Sequence, residues 1–174
     1  MDFIMKKIIS FSITLLFSLF LSGCASTGTM SMSSANFPAT RAATGGHVFI
    51  YDPKYHAWAA YDGSGHLVRT GRASGGKPYC PDVGRPCRTV VGRYSILNKG
   101  DSSCESGKYP VKTGGGAPMP YCMKFHAKGY AIHGTSYVPS GYNSHGCIGV
   151  SVGDARWLSG FLPVGSRVIV RSYR

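Results

Sequence analysis

The sequence is short of acid. Asp and Glu number 7 against 19 Lys and Arg in 174 residues, for a formal net charge of +12. A catalytic arrangement that needs a carboxylate member has few to draw on, and a surface so charged attracts polyanions. The basic residues are scattered, with neither a basic helix nor an aromatic RNA-binding motif, so the charge does not read as nucleic-acid recognition. No apolar run is long enough to span a membrane; the longest covers 8–21. Internal repeats and heptads are absent. Close Cys-x-x-Cys pairs are missing as well, which argues against a four-cysteine zinc site.

What is present suits one domain with a sizeable core and leaves no room for a second. Gly 24 and Pro 10 cut the apolar residues into short runs, favouring strands and turns over long helices. Residues 1–23 read as an export signal, with Lys6 and Lys7 ahead of the apolar run and small residues after it. Leu21-Ser22-Gly23-Cys24 resembles a bacterial lipoprotein box. That resemblance implies a lipid on Cys24 and, with Ala25 next, delivery to the outer membrane, so that the protein is anchored in a lipid bilayer without a spanning helix. Residues 24–45, small and polar without a period, read as a flexible tether. Residues 46–174 form the domain. An exported basic chain is expected to meet anionic wall material and lipid headgroups, not nucleic acid.

The fold class is mainly β, with one or two short helices. Strands are predicted over 47–51, 57–61, 66–71, 93–97, 121–126, 129–133 and 167–173, where β-branched and aromatic residues concentrate. In the last of these, Val168 and Val170 alternate with Arg167, Ile169 and Arg171. Asp62-Gly63-Ser64-Gly65 is a hairpin turn signal. A helix is predicted over 154–160, capped by Asp154, with Trp157, Leu158 and Phe161 toward the core and Pro163 beyond its end. With Cys24 given to lipid, an odd number of cysteines is left, so one thiol stays unpaired. If that thiol is Cys147, the favoured disulfides are Cys80–Cys87 and Cys104–Cys122, each closing a short local loop in an oxidising compartment. Sequence alone leaves the other pairings of these four open.

Cys147 follows Ser144-His145-Gly146, and His133 lies fourteen residues upstream of it. Thiol catalysis needs a base that keeps the sulfur as thiolate, and backbone N–H groups aimed where charge develops on the attacked carbonyl. His133, at the end of the apolar strand Gly129-Tyr130-Ala131-Ile132, is the candidate base. The N–H groups of Gly146 and Cys147 are the candidate oxyanion donors, and Gly146 leaves room for substrate beside the sulfur. His145 is read as shaping the pocket or tuning the thiolate. Ser144 is read as bonding its own turn at the edge of the substrate site. Tyr121 and Tyr130 are candidate pocket walls, and Tyr137 and Tyr142 candidate lid residues. His47, His56, His66 and His126 read as surface or packing residues.

His133-Gly134 followed by Ser144-His145-Gly146-Cys147-Ile148 resembles the signature of the L,D-transpeptidase (YkuD-type) catalytic domain. The likeness continues through 47–51, 57–61, Gly65-His66-Leu67-Val68, Ser74-Gly75-Gly76, Val91-Gly92-Arg93-Tyr94, Asp154, Leu158 and 163–170. It implies that family's β-sandwich, with the Gly134 carbonyl orienting the second ring nitrogen of His133. It also implies attack by Cys147 on the bond between an L-centre and D-Ala in a peptidoglycan tetrapeptide stem. An amine acceptor, from another stem or a wall-attached protein, then resolves the thioester; resolution by water gives an L,D-carboxypeptidase. Neither route calls for a metal or an organic cofactor. Gly149 stands where many members carry Arg or Asn, which makes Arg156 a candidate to meet the donor's carboxylate. The same glycine supports the alternative of a catalytically silent wall-binding lipoprotein.

Overall fold

A computed structural model describes residues 36–174. The expected export signal, Cys24 and most of the expected tether lie outside the described residues.

The strands in chain order are β1 (Val48–Asp52), β2 (Ala57–Tyr61), β3 (Leu67–Arg72), β4 (Gly92–Ser95), β5 (Asn98–Lys99), β6 (Met123–Lys124), β7 (Ala131–Thr135), β8 (Ile148–Ser151) and β9 (Arg167–Val170), with α1 (Val152–Phe161) directly after β8. One sheet has the order β3-β2-β1-β9-β4, the other β5-β6-β7-β8. The first two strands are buried along their whole length because both of their faces are covered. Phe49, Tyr51, Trp58 and Ala60 point into the main core, which they share with Met123, Ile132, Ile148 and Val150 of the second sheet and with Ala155 and Leu158 of the helix. Val48, Ile50, Ala57, Ala59 and Tyr61 point the other way, into a smaller cluster closed by Phe37. Each large apolar side chain so enclosed contributes about 1.5–3 kcal/mol.

Phe37 moves the domain's edge. The tether expected to run to residue 45 gives way earlier: Phe37 is buried, the Tyr61 hydroxyl donates to the Pro38 carbonyl at 2.9 Å, and the N–H groups of Leu67 and Arg41 bond across the 39–65 region at 2.8 and 2.9 Å. Without Phe37 the outer faces of β1 and β2 would lose their cover. Low hydropathy around one phenylalanine hid this from the sequence.

The helix also begins earlier than expected, and its cap is Ser151, not Asp154. The Ser151 hydroxyl accepts the Asp154 N–H at 3.0 Å and donates to the Asp154 carboxylate at 2.8 Å. Asp154 stands in the first turn, where the helix dipole favours an anion, and pairs with Arg69 at 2.7 Å. Leu158 is fully buried, while Trp157 and Phe161 pack half-buried on the core. The strand expected over 121–126 shrinks to two residues, since Tyr121 takes a positive φ of 57° and Cys122 is tied to Cys104. β8 was not anticipated as a strand; its register with β7 makes it one. Cys80–Cys87 and Cys104–Cys122 are the disulfides, and Cys147 is the free cysteine. Among the described residues no helix is long and apolar enough to cross a membrane.

Candidate active site

The second sheet brings the cysteine and the histidine together. β7 and β8 run parallel, with Ile132 opposite Ile148 and His133 opposite Gly149. The two isoleucines are fully buried and hold both strands in the core. Cys147 therefore enters β8 one strand away from His133, and both side chains line the same cavity of about 670 Å³. His133 Nδ1 lies 2.8 Å from the carbonyl of Gly134. A carbonyl only accepts, so Nδ1 carries the proton and Nε2 keeps its lone pair. That nitrogen is the one left to take a proton from a thiol.

The turn before Cys147 is held by Ser144. Its hydroxyl accepts the Gly146 N–H at 3.1 Å and donates to the Cys147 carbonyl. The Gly146 N–H expected to serve an oxyanion is thus engaged within the turn, and reaches a substrate only by exchanging that partner. Gly146 itself has φ +126°, and a Cβ there would fall 2.1 Å from a ring carbon of Tyr130. No other residue type fits without displacing the ring.

Burial sets the ionisation of the pair. It pushes the Cys147 thiol above its ordinary value, against a smaller opposing hydrogen bond from the Ala131 backbone. It pushes the His133 imidazole down, against a smaller raising effect of the Gly134 carbonyl. Both shifts favour a neutral thiol beside a neutral imidazole. The sequence reading has the base holding the sulfur as thiolate; burial acts against that charge separation in the resting pair, although both side chains line the cavity and are only half-buried.

His145 is gripped from two sides. Its Nε2 lies 2.7 and 2.9 Å from the two carboxylate oxygens of Asp82, and its ring stacks on Tyr109 at 4.0 Å with the planes 22° apart. Asp82 belongs to a 3-10 turn, Pro81–Val83, inside the Cys80–Cys87 loop, and Tyr109 to the Cys104–Cys122 loop. Both disulfide loops therefore meet over the turn that leads into Cys147. The sulfurs of Cys80 and Cys87 and a ring nitrogen of His145 lie within 4.8 Å of one another, the kind of grouping that can hold a metal. Here the two sulfurs are bonded to each other, which leaves no thiolate to donate.

Of the other residues singled out by sequence, Tyr130 and Ser144 line the cavity. Tyr121 does not; its N–H is bound to the Asp101 carbonyl at 2.7 Å and its side chain packs on the main core. Arg156 is exposed on α1, also away from the cavity lining. Tyr137 is 71% exposed, and Tyr142 is pinned to the domain through Pro53, His56 and Tyr173, so neither lines the cavity. The cations that do line it are Arg85, Lys108, Lys124 and Lys128, facing a single carboxylate, Glu105. Sequence reasoning missed Arg85, Lys108 and Lys128 because loop residues carry no period, and Lys124 because it ends the two-residue β6; the clue for Arg85 was its place between Gly84 and Pro86 in a loop closed by cysteines. Gly149 offers no cation: it is buried, and its backbone bonds to that of Ser74 at 2.8 and 2.9 Å.

A carbonyl-oriented histidine in one strand and a free cysteine at the entry to the parallel neighbouring strand form an arrangement suited to acyl transfer through a thioester. The chain belongs to the L,D-transpeptidase catalytic domain family (YkuD), which it matches over residues 45–170. Its fold is similar to that of the L,D-transpeptidase (residues 123–326) of Xylanimonas cellulosilytica, at 27% identity over 79% of this chain and 66% of that one, with a TM-score of 0.63. The L,D-transpeptidase of Stackebrandtia nassauensis (19% identity, 79% of this chain and 61% of that one, TM-score 0.62) and L,D-transpeptidase 3 of Mycobacterium tuberculosis (22%, 72% and 61%, 0.60) share the fold. The chain spans less than two thirds of the length of each of these structures. No curated protein matches it.

Proposed function

We propose that the protein is an envelope L,D-transpeptidase acting on peptidoglycan stem peptides. Cys147 attacks the carbonyl of the L-centre that precedes the terminal D-Ala of a tetrapeptide. His133 Nε2 takes the thiol proton and returns it to the departing D-Ala amine, leaving the acyl group as a thioester on the sulfur. An acceptor amine gives up a proton to the same nitrogen, attacks the thioester and regenerates the thiol. The carrying observation is that His133 in β7 and Cys147, just before the neighbouring β8, line one cavity, with Nδ1 committed to Gly134 and Nε2 left for chemistry. The lipoprotein box at Cys24 supports anchoring of the domain at the membrane that faces the wall.

The test is incubation of the full chain, purified in mild detergent, with disaccharide tetrapeptide, read by mass spectrometry beside Cys147→Ala. Release of D-Ala with dimer formation in the wild type alone establishes transpeptidation. Release without dimers makes the protein an L,D-carboxypeptidase. The engaged Gly146 N–H and the missing cation at 149 favour a second reading, a silent wall-binding lipoprotein. No reaction, together with retention on intact sacculi, would select it.

A further inference from the structure

Arg85 stands out among the cavity's cations for its fixed position. The loop that carries it is closed by Cys80–Cys87, and within it Cys80 and Arg85 bond to each other through both backbone groups, at 3.0 and 3.4 Å. The guanidinium donates to the Pro86 carbonyl at 3.2 Å and to the Tyr109 hydroxyl at 3.3 Å. The Tyr109 hydroxyl and then that of Tyr130 reinforce its charge. None of these neighbours is a carboxylate. The nearby carboxylate of Asp82 is taken by His145, and among the described residues no carboxylate forms an ion pair with Arg85. A guanidinium has five N–H donors in a planar fork matched to a carboxylate. Arg85 keeps donors in reserve on the wall of a cavity whose lining carries one acid, Glu105.

Its surroundings lead directly to the nucleophile. Tyr109, which Arg85 touches, stacks on His145. Tyr130, its other phenol, fills the space against Gly146, the residue before Cys147. The lysines of the lining are less organised: Lys108 lies over the Tyr109 ring at 5.8 Å, and an ammonium is a point charge on a flexible stem. A bidentate contact made by an already positioned Arg loses less entropy than one made by these lysines.

We infer that Arg85, braced by Tyr109, forms a carboxylate-binding subsite on the Cys80–Cys87 loop that holds a carboxylate of the stem peptide while Cys147 attacks. The inference rests on the proposed transpeptidase reading and deepens it, since it assigns substrate recognition to a loop outside the two histidine and cysteine segments.

The experiment compares wild type, Arg85→Gln and Arg85→Lys as full chains on three tetrapeptides: the free acid, the form amidated at the terminal D-Ala, and the form amidated at the side-chain carboxyl of the third residue. On the free acid, Arg85→Gln is expected to lose roughly ten- to hundredfold in kcat/KM, mostly through KM, with Arg85→Lys between the two. On one amide the wild type falls to the level of Arg85→Gln and the two coincide; that amide identifies the carboxylate bound. Equal losses for Arg85→Gln on all three peptides, or no loss, would overturn the subsite. A second readout separates this from failure of the transpeptidase reading: calorimetric binding of the same peptides to Cys147→Ala with and without Arg85→Gln. If no wild-type turnover is seen yet binding of the free acid depends on Arg85, the enzyme reading fails and the subsite stands. Binding indifferent to Arg85 rejects it.

Discussion

The ring of Tyr130 occupies the space that a side chain on Gly146 would need, with Cε1 only 2.1 Å from the position of a Cβ. The turn before Cys147 and the cavity wall are therefore one packed unit. Gly146→Ala should cost about 2–4 kcal/mol from the positive φ and the clash together, and turnover should fall at least tenfold. Thermal denaturation of Gly146→Ala, Tyr130→Ala and the double variant checks this: the double variant should recover part of the loss, and strict additivity would count against the contact.

Cys147 and His133 are both shifted toward their neutral forms by burial. The rate of alkylation by iodoacetamide should therefore climb with pH through and beyond the ordinary thiol range of about 8.5, without a plateau near neutrality. Because the imidazole resists protonation, the acid limb of kcat/KM should lie below the ordinary histidine value of about 6.5. His133→Ala should lower turnover by about 10²–10⁴. A flat alkylation rate from about pH 6 to 8 would indicate a preformed thiolate–imidazolium pair instead.

Asp82 is roughly half exposed where it meets His145, so the pair adds little to stability. Asp82→Asn should change the unfolding free energy by less than about 1 kcal/mol, and yet reduce turnover several-fold by freeing His145 to rotate from the Tyr109 ring. A loss of stability with unchanged kinetics would refute this division of roles.

The Cys104–Cys122 disulfide spans 18 positions and carries Tyr109 toward the cavity. Its replacement by two alanines should lower stability by about 3 kcal/mol in urea unfolding. KM should rise and kcat should fall together, because Cys104 and Cys122 pack in one cluster with Cys147 as well as carrying the cavity wall.

Much of this was legible in the sequence, for reasons that differ by element. Val168 and Val170 announced β9 through alternation, and Asp62-Gly63-Ser64-Gly65 announced the turn between β2 and β3, where Gly65 has φ +91°. Motif spacing singled out Cys147 and His133, and the structure has His133 in β7 and Cys147 just before β8, the strand beside it. Phe37 was lost in a polar stretch, and Ser151 was overlooked beside the more conspicuous Asp154. Tyr121 and Arg156 were chosen for their residue type near the motif, but side-chain direction depends on backbone: a positive φ turns Tyr121 into the core and helical phase turns Arg156 outward. Arg85 and Tyr109 reach the cavity from loops distant in sequence, and only the closed loops show it.

The parallel pairing of β7 with β8 means that the spacing of His133 and Cys147 is written in sheet hydrogen bonds and not in the segment that joins them. From Gly141 onward that segment is stitched to Ser74 and Gly75, but 136–140 lies at the surface or half-buried. Residues there can lengthen, shorten or change character without breaking the ladder that sets the separation of Cys147 from His133.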